Sequence, residues 1–131
     1  MHIYTKELLE HCADFSKQLL KETKDLYPFG AFISKTGQLH PLELEKKNSI
    51  KNGEVVESLL KYLVSEMEQG EVLAYATTYE VQIKISEDSP ISDAIAIEIV
   101  NVESEKEPVF YIPYRINGDE VSFEEPFAVK K

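Results

Sequence analysis

Between Leu73 and Phe123 apolar and polar side chains alternate in runs separated by turn-forming residues, a pattern that restricts this half of the chain to strands folding back on one another. The expected strands are Leu73–Ile85, Asp93–Val102, Val109–Ile116 and a short Glu120–Phe123 after the Asn117-Gly118 turn. Connections this short require antiparallel pairing, so the half reads as a meander of three to four strands. Glu103, Glu105 and Glu107 read as a solvated hairpin loop within it.

Period-two alternation also assigns faces. In the longest strand Tyr75, Tyr79, Val81, Ile83 and Ile85 share one side, while Ala74, Ala76, Thr78, Glu80, Gln82 and Lys84 share the other. The first set is expected to meet the helices together with Ile95, Ile97 and Ile99, and with Phe110, Ile112 and Tyr114. Ala94, Ala96 and Glu98, and likewise Tyr111, Pro113 and Arg115, are left for the outer face. Pro113 cannot donate a ladder hydrogen bond, which implies an edge position or a bulge.

The other half supplies helices. From Thr5 to Leu26 the residues Leu8, Cys12, Phe15, Leu19 and Leu26 recur at three- and four-residue steps, with Leu9 and Leu20 beside them. Thr5 is the expected N-cap, and Pro28 ends the helix before Tyr27. Phe29–Ser34 and Leu39–Leu44 flank Lys35-Thr36-Gly37-Gln38, a hairpin in which Gly37 supplies the positive φ. Glu45–Gly53 is a charged connector; beyond it Val56, Leu59, Leu60, Leu63 and Met67 form a second amphipathic face, closed by Gly70. The fold class is therefore α+β: helix, β-hairpin, helix, then an antiparallel meander forming one sheet packed against helices. No repeat or linker divides the chain, so residues 1–131 are expected to form one domain.

Charge and cysteine usage exclude several partners. Twenty-four acidic against fourteen basic residues give a net charge of -10, which repels nucleic acid and anionic membranes. No apolar run approaches the ~20 residues that span a bilayer. The N-terminus lacks the basic and apolar blocks of a secretory signal, and the single Cys12 has no disulfide partner in the chain, so a cytoplasmic setting is expected.

The search for chemistry returns no catalytic, metal or cofactor-binding residues. His2, His11 and His40 are scattered, and no two of them stand three or four residues apart, as helical metal ligands would. His11 reads as a surface residue and Cys12 as a small buried hydrophobe. The five glycines are isolated rather than gathered into a phosphate-binding loop, and no nucleophile elbow is present. Two aromatic segments stand out. Leu26-Tyr27-Pro28-Phe29-Gly30-Ala31-Phe32-Ile33 reads as a rigid corner plugging the core, and Tyr111-Ile112-Pro113-Tyr114-Arg115 places the only arginine beside a tyrosine on the outer face.

Tyr27-Pro28-Phe29-Gly30-Ala31, Tyr79-Glu80-Val81, Asp93-Ala94-Ile95 and Pro113-Tyr114 together resemble a family of small uncharacterised bacterial proteins with the same segments in the same order. The resemblance implies a bacterial, intracellular protein and carries no reaction or ligand. The order of elements also resembles roadblock-like and profilin-like domains, which implies a sheet backed by helices.

Three functions compete. The leading reading is a non-enzymatic binding or assembly module, because no catalytic constellation is present and the outer face is rich in alanine. Ala74, Ala76, Ala94, Ala96, Tyr111 and Arg115 are its candidate contact surface, most simply for a two-fold homodimer. The second reading is an acidic inhibitor or immunity-type protein steered to a basic partner. The third is a small enzyme using Glu80, Glu98, Tyr111 and Arg115 on one sheet face.

Overall fold

The computed structural model describes residues 1–45, 50–84, 86–104 and 106–131. Two helices, α1 (Ile3–Thr23) and α2 (Asn52–Glu68), accompany seven strands: β1 (Phe29–Ser34), β2 (Leu39–Leu42), β3 (Val72–Ile83), β4 (Ser92–Asn101), β5 (Val109–Asn117), β6 (Glu120–Phe123) and β7 (Phe127–Val129). All the strands join one sheet in the order β2-β1-β3-β4-β5-β6, with β7 also on β5, and every pair is antiparallel. The α+β class and the order of elements are those predicted. The sheet exceeds the three to four strands expected, because the hairpin enters it through β1–β3 pairing and β7 extends it after Pro126. Part of the charged connector, residues 46–49, and the expected core residue Ile85 lie outside the described residues, as does Glu105.

The helices pack on opposite faces. On the α1 face, Leu8, Cys12 and Leu20 meet Ala31 and Ile33 of β1, Ala74 and Ala76 of β3, Ile95, Ile97 and Ile99 of β4, and Ile112 and Tyr114 of β5. On the other, Leu63 packs with Val72, Tyr75, Phe32, Leu42 and Val100. Gly30 lies beneath α2: a Cβ there would stand 3.0 Å from the Ala76 carbonyl oxygen and 3.6 Å from Leu63 Cδ1, so the missing side chain lets the helix settle.

This placement overturns the expected facing of β3. Register sets Ala76 opposite Ile99, Thr78 opposite Ile97 and Glu80 opposite Ile95, so the small-residue row shares the α1 face with the isoleucines. Tyr75, Tyr79, Val81 and Ile83 occupy the opposite side with Ala94 and Ala96. Bulk misleads here because a helix covers each side of the first half of β3, which is buried from Ala74 to Thr78 on both faces. The row beneath α1 is small because the helix contributes small residues of its own, Cys12 and Ser16, and approaches closely.

Register carries further corrections. Between Ile33 and Ser34 the β1–β3 pairing skips from Ala74 to Val72, and the resulting irregularity turns Val72 toward α2. Pro113 is not on an edge strand, since it pairs with Ala94 on one side, but the pairing on its other side slips by one residue between Tyr114↔Phe123 and Tyr111↔Phe127, the irregularity expected around it. On the other side it lies between the segments paired to β6 and to β7, where its carbonyl accepts from Glu124 N–H at 2.9 Å. In an antiparallel strand the N–H of a residue points the same way as its C=O. The absent Pro113 donor therefore faces the stretch where the neighbouring chain breaks its ladder.

At the start of α1 the N-cap is His2, whose Nδ1 accepts from Tyr4 N–H at 3.1 Å, and not Thr5. Thr5 is fully buried inside the helix: its hydroxyl donates to Glu107 Oε1 at 3.0 Å and accepts from Asn101 Nδ2 at 3.3 Å. Ser104 donates to the same Glu107 oxygen at 2.7 Å, and His2 contacts Glu103 at 3.1 Å. The β4–β5 loop, expected to be solvated, is thereby tied to the helix start. The buried stripe of α1 is Thr5, Leu8, Cys12, Ser16 and Leu20, with Phe15 and Leu19 on its flank, and that of α2 is Val55, Leu59 and Leu63. His11, expected at the surface, is half-buried and stacks on Phe15 with ring centroids 6.1 Å apart.

Candidate functional site

α2 packs on β3 and β1 and leaves the rest of its face of the sheet without a helix. That remainder is floored by Ala94 and Ala96 of β4, walled on one side by Tyr79 and Val81 of β3 and on the other by Tyr111 and Pro113 of β5. The register places Tyr79, Ala96 and Tyr111 in one line across three strands, and Phe127 of β7 continues it. The Tyr111 and Phe127 rings lie 5.4 Å apart. Tyr79, Val81, Ile83, Tyr111 and Phe127 are all half-buried, so this is a continuous apolar and aromatic surface in contact with solvent.

Glu98 stands at one corner. It accepts a short hydrogen bond from the Tyr79 hydroxyl through Oε1, and its Oε2 is 3.9 Å from Lys131 Nζ. Arg115 stands at the opposite corner, with its side chain 64% exposed and its Nε 3.9 Å from Glu124 Oε1. Tyr114, by contrast, points to the α1 side and donates to Glu80 Oε2 at 2.7 Å. Glu80 and Glu98 are therefore on opposite faces, and the four residues of the enzyme reading are not one constellation: the sheet separates Glu80 from Glu98, Tyr111 and Arg115.

The six residues of the sequence-derived contact surface are split in the same way. Ala74 and Ala76 are fully buried in the α1 core. Ala94, Ala96, Tyr111 and Arg115 do share the uncovered face, but both alanines have 0% exposure. Their neighbours' side chains already close over them, so anything docking here touches Tyr79, Val81, Tyr111 and Phe127 rather than alanine. Tyr79 and Val81 were assigned to the core from their bulk. Phe127 went unnoticed, although Phe127 and Val129 after Pro126 form a minimal alternating pair.

No protein-family model, curated protein or solved structure matches this chain. The site has to be read from its own chemistry. Among the described residues no three His, Cys, Asp or Glu side chains gather in a way that could hold a metal ion, and no helix is long and apolar enough to cross a membrane. A cleft of about 440 Å³ lies between Pro90–Asp93 and Tyr114–Asn117, beside the uncovered face and sharing Arg115 with it. Burial pushes the Cys12 thiol up to about 11, with the Thr78 hydroxyl lowering it slightly, so the group stays protonated and unreactive at neutral pH.

Tyr79 and Tyr114 are both held well above the ordinary phenol value, first by burial and then by the carboxylates they bond, Glu98 and Glu80. Tyr75, beneath α2, is raised by burial and by the charge of Glu98. In the unfolded chain these phenols ionise near pH 10. Above that pH the folded state holds more protons, so the stability they contribute is complete below pH ~10 and is lost as pH climbs toward their raised folded values. In a spectrophotometric titration, Tyr75, Tyr79 and Tyr114 should ionise late, with alkaline unfolding. The Tyr79→Phe, Tyr114→Phe double variant should leave only one such late group. A titration without any late-ionising group would contradict both hydrogen bonds.

Proposed function

We propose that this chain is a non-enzymatic binding or assembly module that works in the cytoplasm and uses the uncovered half of its α2-side sheet face as the contact surface. The observation that carries the reading is the line of Tyr79, Tyr111 and Phe127 lying across three strands where no helix covers them. Aromatic side chains supply large contact area at low entropic cost, which is why they are enriched at the centres of protein interfaces. Helices cover this sheet elsewhere, so a face left bare and apolar calls for a protein partner.

The composition of the face favours this over the acidic-inhibitor reading. A surface meant to capture a basic protein would concentrate carboxylates at the contact. Here the acids nearest the aromatic line are Glu98, bonded to Tyr79 and close to Lys131, and Glu124, 3.9 Å from Arg115, so each already faces a cation. Much of the acidic surplus is exposed elsewhere, as at Glu10, Glu22, Glu54, Glu57, Glu68, Glu87 and Asp88.

The test is site-specific photo-crosslinking in the native cell. With p-benzoyl-phenylalanine in place of Tyr111, a discrete covalent adduct is expected. The same group in place of exposed Glu10, on the outer side of α1, should give none. If Tyr111 and Glu10 behave alike, the face is not a contact surface.

A further inference from the structure

We infer that the occupant of this face is a second copy of the same chain, docked face to face about a two-fold axis lying across the strands, with Arg115 of each copy meeting Glu98 of the other. This rests on the reading of the face as a contact surface and goes further in naming what covers it.

The inference comes from the β4–β5 register. Ile95 and Ile112, whose side chains point to the α1 side, are backbone partners midway along the β4–β5 ladder. Glu98 is three residues beyond Ile95 along β4, and Arg115 is three residues beyond Ile112 along β5. The strands run in opposite directions, so at about 3.3 Å per residue the two charges stand about 10 Å from the centre at opposite corners. A two-fold axis in the plane between two such faces exchanges those corners. Both Arg115–Glu98 pairs then form at once, which is the self-complementarity a closed dimer requires.

The same operation brings Tyr111 of one copy over the buried Pro113 of the other, so a large ring faces a position without a projecting side chain. The interior of the contact is apolar and aromatic: the half-buried Tyr79, Val81, Tyr111 and Phe127 lie between the two corners. Arg115 and Glu98 stand at opposite corners of one face, so a second copy turned about the two-fold axis matches both at once. Among the described residues, Glu98 Oε2 and the Arg115 guanidinium have their nearest opposite charges at 3.9 Å, beyond hydrogen-bonding distance, so both have capacity for a closer partner.

Sedimentation equilibrium of the full chain tests this, with circular dichroism confirming that each variant is folded. The wild type is expected to reach a monomer–dimer equilibrium within the micromolar to millimolar range. Arg115→Glu, a change at an exposed position, should weaken dimerisation at least ~10-fold, since it sets like charges against each other twice. Glu98→Lys should do the same, and combining the two should restore the constant to within ~3-fold of wild type, because the swapped charges again oppose each other. Glu98→Gln keeps an acceptor for the Tyr79 hydroxyl and should weaken the dimer without disturbing the fold. A wild-type chain that stays monomeric to millimolar concentration overturns the second-copy occupant, and a dimer indifferent to Arg115→Glu overturns the pairing. The crosslink at Tyr111 separates this failure from that of the broader reading. An adduct of twice the chain mass supports both, an adduct with a different protein overturns only the second copy, and no adduct overturns both.

Discussion

Ile97→Ala is expected to destabilise the fold by about 2–5 kcal/mol in chemical denaturation, the range for truncating a large aliphatic side chain that neighbouring groups cannot collapse to replace. Ile97 is fully buried at the middle of β4, paired with Thr78 on one side and Phe110 on the other, in the core beneath α1. Against a total stability of ~5–15 kcal/mol for a domain of this kind, the loss is large. The informative control is Val81→Ala. Val81 is half-buried on the face without a helix, and its truncation should cost about 1 kcal/mol or less. Equal effects at the two positions would mean that the α1-side core and the uncovered face had been exchanged.

Ala76→Glu is expected to prevent folding altogether. Ala76 is fully buried in the α1 core, between Ala31 of β1 and Ile99 of β4 in the sheet. A carboxylate there has no route to water past the helix and no cation in the cluster around it. An uncompensated buried charge costs several kcal/mol even after relaxation, most of what the domain has in reserve. Ala96→Glu should be markedly milder although Ala96 is equally buried, because no helix lies above it. A longer side chain can pass between Tyr79 and Tyr111 and keep its head in solvent. Far-ultraviolet circular dichroism and thermal unfolding of the two variants read this directly, and a natively folded Ala76→Glu chain would show that α1 does not seal the β1–β3–β4 surface.

The two substitutions mark where the sequence reading held and where it did not. Both alanines sit in alternating strands and both are small, so from residue identity they look equivalent. What separates them is which face α1 covers, and that depends on the register between β3 and β4. A one-residue difference in alternation moves every side chain of a strand to the other face. On β4 the contrast of Ile95, Ile97 and Ile99 with Ala94, Ala96 and Glu98 was strong enough to assign faces correctly. On β3 the contrast of tyrosine with alanine pointed the wrong way, because two helices cover opposite sides of the strand's first half and neither side has to be polar.

By itself, the sequence determined the elements, through signals confined to a few neighbouring residues. Apolar spacing of three and four marks both helices, Gly37 and Gly118 permit the left-handed backbone at the two hairpin turns with φ of 84° and 64°, and alternation marks β3 to β6. It also determined the acidic surface and the candidate residues Ala94, Ala96, Tyr111 and Arg115 as sharing one face. Only the tertiary structure decided that the helices lie on opposite sides, that β1 pairs with β3 and so draws the hairpin into the sheet, and that a three-residue β7 completes the far edge. Those outcomes rest on contacts between residues far outside any local window, such as Ala31 with Ala76 and Tyr111 with Phe127, for which no local pattern carries the information. The uncovered face belongs to this second class: it exists because α2 sits mainly on β3 and β1, a matter of where a helix docks rather than of what β4 and β5 are made of.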